Sequence, residues 1–241
     1  LEKYAIVVGG GSGTRMNTPV PKQFMLLDGR PVLMHTIKKF AEADLEIKII
    51  VVLRPDQFEF WKQLCIQYDF QIPHQLCEGG ETRFLSVKNG LSLIQAEGII
   101  GIHDAARPLV NKKTIQTAFK AAEMYGNAVP AIPIQDSIRQ IDSGNSTSVD
   151  RSKYCIIQTP QCFVSKILLR AYTQEYKFTF TDDASVVEAL GEKIHLIDGS
   201  SDNIKITTPK DMVIAEALLK NKSVLVSSNK ASHTDDLSLL S

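Results

Sequence analysis

The chain lacks an excess of either charge: its 241 residues carry 27 Lys and Arg against 27 Asp and Glu, a formal net charge of zero. Without a global field it has no general hold on nucleic acid or an anionic membrane, so local basic clusters must meet any phosphate. Cysteine is scarce, and Cys65, Cys77, Cys155 and Cys162 show no C-x-x-C spacing. His35, His74, His103, His195 and His233 are scattered as well, which argues against a structural zinc site. No apolar run is long enough to span a bilayer, and no leader-like charged and apolar pattern opens the chain. A cytoplasmic protein with reduced thiols is expected. Two familiar glycine loops are missing too: Gly13 is followed by Thr14 where a Walker loop has Lys, and no G-x-G-x-x-G register fits. Ser12 and Ser86 have no His partner in context and no G-x-S-x-G elbow follows a strand, so no hydrolase triad emerges.

What is present gathers around VVGGGSGTRM, Val7 to Met16, and the PKQF at Pro21 to Phe24. Ala5, Ile6, Val7 and Val8 read as a buried strand. Gly9, Gly10, Gly11 and Gly13 then remove the side chains that would keep a ligand from the backbone N–H groups. Arg15 and Lys22 add two cations nearby, and the stretch reads as a triphosphate site. A tight strand-to-helix turn would explain the glycines alone, but not the cations at these offsets.

Periodicity beyond this loop alternates. Pro31 to Ala43 is helical, Ile47 to Leu53 a continuous apolar strand, Gln57 to Tyr68 a helix and Ile72 to Cys77 extended. Thr82 to Ile94 follows as a helix, Ile99 to His103 as a buried strand, Lys112 to Tyr125 as a helix and Ala128 to Ile132 as a strand. The alternation predicts an α/β, Rossmann-like, mainly parallel sheet with helices on both faces and ligands at the carboxyl ends of the strands. Ser137 to Ile141, a DSGNS turn and Val149 to Ile157 read as a hairpin with too few apolar pairs for a core of its own. It is expected to protrude as a β-arm, about residues 136–157, and to pack on a second copy of the chain. Leu168 to Tyr172, Ala184 to Leu190 and Met212 to Leu219 are helical, with a strand at Lys193 to Ile197. Residues 1–220 are thus expected to form one domain, and Asn221 to Ser241 a flexible tail.

Four further stretches hold polar residues at element ends. HDAARP, His103 to Pro108, follows a buried strand, and Asp104 and Arg107 either pair with each other in a capped loop or bind a ligand. GGETRFLSV, Gly79 to Val87, offers Arg83 and Ser86 where a helix dipole favours an anion. Thr82 as an ordinary cap leaves Gly79, Gly80 and Arg83 unexplained. In FTDDAS, Phe180 to Ser185, any of Thr181, Asp182 and Asp183 could be the helix cap. In NIKITTPKD, Asn203 to Asp211, capping accounts for Thr208, Pro209 and Asp211 but not for Lys205 in the short apolar strand before them. VDR, Val149 to Arg151, lies on the arm, and QTPQ, Gln158 to Gln161, is a Pro-fixed turn.

Taken together, these motifs resemble a known family. GSGTRM followed by PK resembles the nucleotidyltransferases that join a nucleoside triphosphate to a sugar phosphate. PKQF, GGETRFLSV, HDAARP, QTPQ and NIKITTPKD resemble the cytidylyltransferases of polyol phosphates. HDAARP, VDR and TDDAS are most similar to the 2-C-methyl-D-erythritol 4-phosphate cytidylyltransferases of the non-mevalonate isoprenoid pathway, in collinear order from Tyr4 to about Leu219. The resemblance implies that Gly9, Gly10, Gly11 and Gly13 line CTP, with Arg15 and Lys22 on its phosphates, and that Gly80, Glu81, Arg83 and Ser86 hold the cytosine and ribose. It places Asp104, Arg107, Thr159, Thr181 and Lys205 around the polyol phosphate, with Arg151 supplied across a homodimer by the arm. Arg15, Lys22 and Lys205 would be the catalytic cations. Two departures stand out: the family commonly has Ala-Ala where Gly9-Gly10 stand, and often Asp where Glu81 stands.

The same residues make chemical sense on their own. A phosphate monoester, with a second pKa of about 6, is already largely dianionic at neutral pH and needs no general base. Bringing it to the α-phosphorus of a triphosphate is a problem of charge and position, suited to Lys22, Arg15, Lys205 and a Mg²⁺ ion held mostly by triphosphate oxygens, with Asp104 the one side-chain candidate. Three rivals are weighed. Ribitol-5-phosphate cytidylyltransferases usually have Val where Ala106 stands and Ser where Thr181 stands; a non-catalytic nucleotide sensor would not need every cation kept; a nicotinamide dehydrogenase would need a third fingerprint glycine and an acidic residue after Leu53.

Overall fold

The computed structural model describes residues 1–10 and 20–231, with 222–231 described by backbone alone. Strand β1 (Glu2–Val8) leads to a small ladder of β2 (Leu26–Leu27) and β3 (Arg30–Pro31), then α1 (Val32–Ala43), β4 (Lys48–Leu53), α2 (Phe58–Gln67) and β5 (Gln75–Glu78). Helix α3 (Arg83–Leu91), β6 (Gly98–Asp104), α4 (Lys112–Tyr125) and β7 (Asn127–Pro133) complete the alternating half. After them come β8 (Arg139–Asp142), β9 (Asn145–Ser148), β10 (Cys155–Ile157), β11 (Gln161–Val164), α5 (Ser165–Ala171), α6 (Asp183–Glu188), β12 (Leu196–Asp198) and α7 (Pro209–Ala231).

Eight strands form the main sheet. β5, β4, β1 and β6 lie side by side in parallel, β11 enters antiparallel between β6 and β7, and β12 runs parallel to β7 on its outer side. The pleat sorts side chains to two faces: Ala5, Val7, Ile49, Val51 and Leu53 pack with α1, α2 and α4 residues, while Tyr4, Ile6, Ile50 and Val52 pack with α3, α5 and α6 residues. This two-sided burial is why β1 and β4 read as unbroken apolar runs. A third cluster, with Leu27, Val32, Ala106, Leu109, Ile206, Met212 and Ala215, fastens the start of α7 beside the carboxyl end of β6.

The expected α/β sheet with helices on both faces is present, and several boundaries are corrected. QTPQ does not merely close a loop: after a cis Thr159-Pro160 bond, Gln161 begins β11, which makes the sheet mixed. The hairpin after β7 is shorter than expected. Its second strand is β9, because Ser143 and Gly144 both take positive φ and close a two-residue turn that pairs Asp142 with Asn145. Cys155–Ile157, assigned from sequence to the same hairpin, instead pairs with β7 in the main sheet. Every residue of β8 and β9 is exposed. The segment around Lys205 is not a strand, being held by Ile206 N–H to Ala106 O at 2.8 Å. Helix α7 runs on through Asn221 to Ala231, where an irregular tail was expected, and 232–241 lie outside the described residues. Among the described residues no helix is long and apolar enough to cross a membrane.

Candidate active site

The carboxyl ends of the parallel strands are stitched together by backbone hydrogen bonds that continue past the strands themselves. Gly9 N–H donates to Val52 O at 2.8 Å, Gly79 N–H to Leu53 O at 2.7 Å and Ala105 N–H to Val8 O at 3.0 Å. A cleft of about 530 Å³ opens above them, lined by Gly9, Gly10, Lys22, Gly80, Glu81, Arg83, Ser86, Asp104 and Lys205 among others. The three strand ends singled out from sequence therefore converge. Gly11, Gly13 and Arg15 lie outside the described residues.

On the β5 side, Thr82 caps α3 by accepting from Leu85 N–H at 3.1 Å. Ser86 sits one turn in, and its hydroxyl accepts from Gly80 N–H at 3.1 Å and donates to Thr82 O at 2.9 Å, so it shapes the Gly79–Thr82 turn. A Cβ at Gly80 would lie 2.4 Å from Leu85 Cβ, which explains the glycine by close packing against α3. At Gly9 the equivalent contact is the end of the Leu53 side chain, Cδ2 at 2.8 Å, whereas at Gly10 the nearest atom to a Cβ would be Ser86 Oγ at 3.4 Å.

At the end of β6, Asp104 is surrounded by cations. Its Oδ2 accepts from Arg107 Nε at 3.2 Å and lies 3.0 Å from Lys205 Nζ, and Oδ1 lies 3.8 Å from Arg83 Nε. Burial by itself would raise the Asp104 pKa, but Arg83, Lys205 and Arg107 outweigh it and hold the carboxyl well below the usual carboxylate range. Arg83 is gripped in turn by Asp183, a fully buried carboxylate, through bonds of 2.9 and 2.6 Å, and Tyr172 donates to the same Asp183 at 2.6 Å. Burial opposes the Arg83 charge, and Asp183 more than restores it, pushing the Arg83 pKa upward. Of the three cap candidates in FTDDAS, Asp182 is the cap, completing a capping box with Ser185. That leaves Asp183 free to face inward and take Arg83.

QTPQ supports this site from behind. Thr159 is buried, and its hydroxyl accepts from Asp104 N–H at 3.1 Å and lies 2.9 Å from His103 Nδ1. Since Arg107 O can only accept, His103 Nε2 carries the proton in their 3.1 Å bond, and Nδ1 accepts from Thr159. Burial pushes the His103 pKa down to about 4 and keeps the ring neutral. Gln161 reaches Asp182 Oδ2 and Ala184 N–H, each at 2.8 Å, and so anchors the start of α6. Asn203 donates to Thr159 O at 2.8 Å while its backbone carbonyl accepts from Arg107 at 2.7 Å.

Not every residue singled out from sequence meets in the cleft. Thr159 serves inside the fold, Thr181 is exposed on the segment before α6, and Arg151 is exposed in a short turn after β9, where its guanidinium bonds Gln135 O. None of the three lines the cleft, and neither does Arg107, whose guanidinium is tied to Asp104 and Asn203 O. Asp104 does not fit a divalent-ion ligand, because both its oxygens face cations, and among the described residues no group of three His, Cys, Asp or Glu side chains converges. Sequence reasoning missed Gln23, Arg54 and Thr207 in the cleft wall, and Gln57, Asp183, His103 and Asn203 behind it. A run of polar residues inside apolar context, such as Gln23 before Phe24, was the only available signal.

A strand-end cleft that joins a glycine turn to paired cations in a Rossmann-like sheet is suited to a nucleotide, and similarity to known proteins places the chain among the nucleotidyltransferases. The family model described as 2-C-methyl-D-erythritol 4-phosphate cytidylyltransferase matches residues 4–221, and the chain belongs to that family. It is similar to the 2-C-methyl-D-erythritol 4-phosphate cytidylyltransferase of Azobacteroides pseudotrichonymphae, 50% identical over 221 residues, covering 90% of this chain and 99% of that protein. The same-named protein of Bacteroides thetaiotaomicron is 46% identical over 219 residues, covering 91% and 100%. Among solved structures, the 4-diphosphocytidyl-2C-methyl-D-erythritol synthase of Anaerococcus prevotii superposes with a TM-score of 0.77 at 28% identity, covering 91% of this chain and 98% of that one.

Proposed function

We propose that the chain transfers the cytidylyl group of CTP to 2-C-methyl-D-erythritol 4-phosphate, forming 4-diphosphocytidyl-2-C-methyl-D-erythritol and pyrophosphate, in the cytoplasm. The observation that carries this reading is Asp104, paired with Arg83, Arg107 and Lys205, in a cleft that Arg83 and Lys205 share with the turns at Gly9, Gly10 and Gly80. CTP lies against those turns, with its base and ribose toward Gly80, Glu81, Arg83 and Ser86 and its phosphates toward Lys22, Arg15 and the glycine loop. The acceptor's phosphate dianion meets Lys205, whose position Asp104 fixes. An acceptor phosphate oxygen then attacks the α-phosphorus as the bond to the β-phosphate oxygen breaks, and pyrophosphate departs. Lys22 and Lys205 stabilise the charge that develops, and the preset ion pairs make this possible without reorganisation at the moment of reaction. Mg²⁺ would enter with the triphosphate rather than on side chains of this chain, and when bound would supply charge neutralisation for the pyrophosphate.

Residues 1–220 act as a single nucleotidyltransferase domain whose arm, residues 136–157, docks on a second copy. The homodimer would carry Arg151 to the polyol-phosphate side of the neighbouring site. Support for this comes from the wholly exposed β8–β9 ribbon, with Ile141 79% exposed and no core of its own. The test is pyrophosphate release with CTP and Mg²⁺, run in parallel with 2-C-methyl-D-erythritol 4-phosphate, ribitol 5-phosphate and no acceptor. Release with the first acceptor alone is expected. Preference for ribitol 5-phosphate would overturn the acceptor, and CTP binding without release from either would leave a nucleotide sensor.

A further inference from the structure

Gln23 follows Lys22 directly, is 1% exposed, and uses its Nε2 twice: it donates to Gly9 O at 2.8 Å and to Gln57 Oε1 at 2.9 Å. Gly9 O can only accept, so the orientation of the amide is determined. Gly9 is the first residue after β1, tied to β4 through Val52 O. Gln57, also buried, closes the short turn Pro55–Gln57 that follows Arg54, a residue of the cleft wall. One buried amide therefore joins three segments that each bring a group to the cleft: the glycine turn, Lys22 and Arg54. Packing does not account for it. The neighbouring Phe24 fills the apolar space, with its ring 6.1 Å from Trp61 and 5.3 Å from Phe60, and an aliphatic residue at 23 would avoid the cost of burying an amide.

We propose that Gln23 is a positioning residue for the transfer, holding Lys22 in register with the start of the glycine loop through Gly9 O and Gln57. The inference rests on the reading of this cleft as the CTP site. Lys22 sits on a three-residue turn, Lys22–Phe24, with no side-chain cap, and such a turn has little rigidity of its own. The Gln23 amide supplies a fixed point one residue away.

The test compares wild type with Gln23→Leu, Gln57→Leu, Lys22→Ala and the double variant Lys22→Ala/Gln23→Leu. The measurements are kcat, KM for each substrate, CTP affinity by calorimetry and Tm. For Gln23→Leu we expect kcat to fall by about 10- to 100-fold, as a displacement near 1 Å does, with KM for the polyol phosphate unchanged. On the Lys22→Ala background the same change should cost less than about twofold, since Gln23 acts through Lys22. A lowered Tm with wild-type kcat, or an equal loss on both backgrounds, would overturn the proposal. Should Gln23→Leu not fold, Gln57→Leu removes one of the two bonds and leaves Gly9 O paired. It must then lower kcat, and full activity would refute the proposal. A wild type silent with both acceptors would strike the functional reading instead, which keeps the two failures distinct.

Discussion

Lys22 lines the same cleft as Gly9, Gly10 and Lys205, and in the proposed reaction its charge would be needed most when the α-phosphorus is five-coordinate. Lys22→Ala should lower kcat by about two or more orders of magnitude while leaving the fold intact, because it removes charge stabilisation in the transition state. Wild-type turnover in a folded variant would contradict the assignment. Asp183 is the other residue on which much depends. Its carboxylate, 0% exposed, pairs Arg83 end-on and also receives the Tyr172 hydroxyl. Asp183→Ala leaves the part-buried Arg83 guanidinium with its 3.8 Å contact to Asp104 and leaves the Tyr172 hydroxyl without its acceptor, and should destabilise the protein by about 2 kcal/mol in urea unfolding. A loss below about 1 kcal/mol would show that water replaces the carboxylate. From sequence, Asp183 could be separated from Asp182 only by guessing which one capped the helix. Lys22, Arg83 and Lys205 reach the cleft and each stands beside a turn signal in the sequence, whereas Gln23 looks like an ordinary polar residue until its partners are seen, and Thr159, expected beside the polyol phosphate, bonds Asp104 N–H and His103 inside the fold.

Among the elements, α4 was legible to the residue. Asn111 caps it by accepting from Thr114 N–H at 2.7 Å, and Gly126, at φ 88°, ends it in the left-handed region that only glycine enters freely. Both signals lie within the element's own few residues. β11 was not legible, since its four residues are held by β6 and β7, elements that precede it by dozens of positions. The arm belongs to the same class: a two-residue turn determined where β9 begins, while pairing with β7 drew Cys155–Ile157 away from the ribbon. Because Arg151 lies on the arm's return and outside its own chain's cleft, Arg151→Ala should raise KM for the polyol phosphate and leave CTP affinity unchanged. Steady-state kinetics with calorimetry decide this, and an equal loss of both substrates would count against the arm as a carrier of Arg151.

For the molecule as a whole, the buried network behind Asp104 makes stability depend on pH in a definite direction. His103, ordinarily near 6.5, is held by burial at about 4, so between these values the unfolded chain binds a proton that the folded one refuses. Stability should therefore fall as pH drops from about 6.5 to about 4, by roughly 3 kcal/mol from this group. His35 and His74, also lowered by burial, act in the same direction. Asp104, depressed by its cations, contributes stability above the usual carboxylate range that is lost only in stronger acid. Urea unfolding at pH 7, 6 and 5 should show the slope in wild type and a shallower one in His103→Gln; identical slopes would place the dependence elsewhere.

The alternation of apolar runs and turns was enough to set an α/β sheet with its ligands at the strand ends, because helix and strand periods are written in neighbouring residues. Charge beside glycine was enough to mark the strand ends that meet in the cleft. What tertiary structure alone decided were the pairings: Arg83 with Asp183 across 100 positions, Thr159 with His103 across 56, and Gln23 with Gln57 across 34. Each is a bond between side chains that no local rule brings together. Each persists because a buried polar group must find a partner, and only the folded sheet determines which one is within reach.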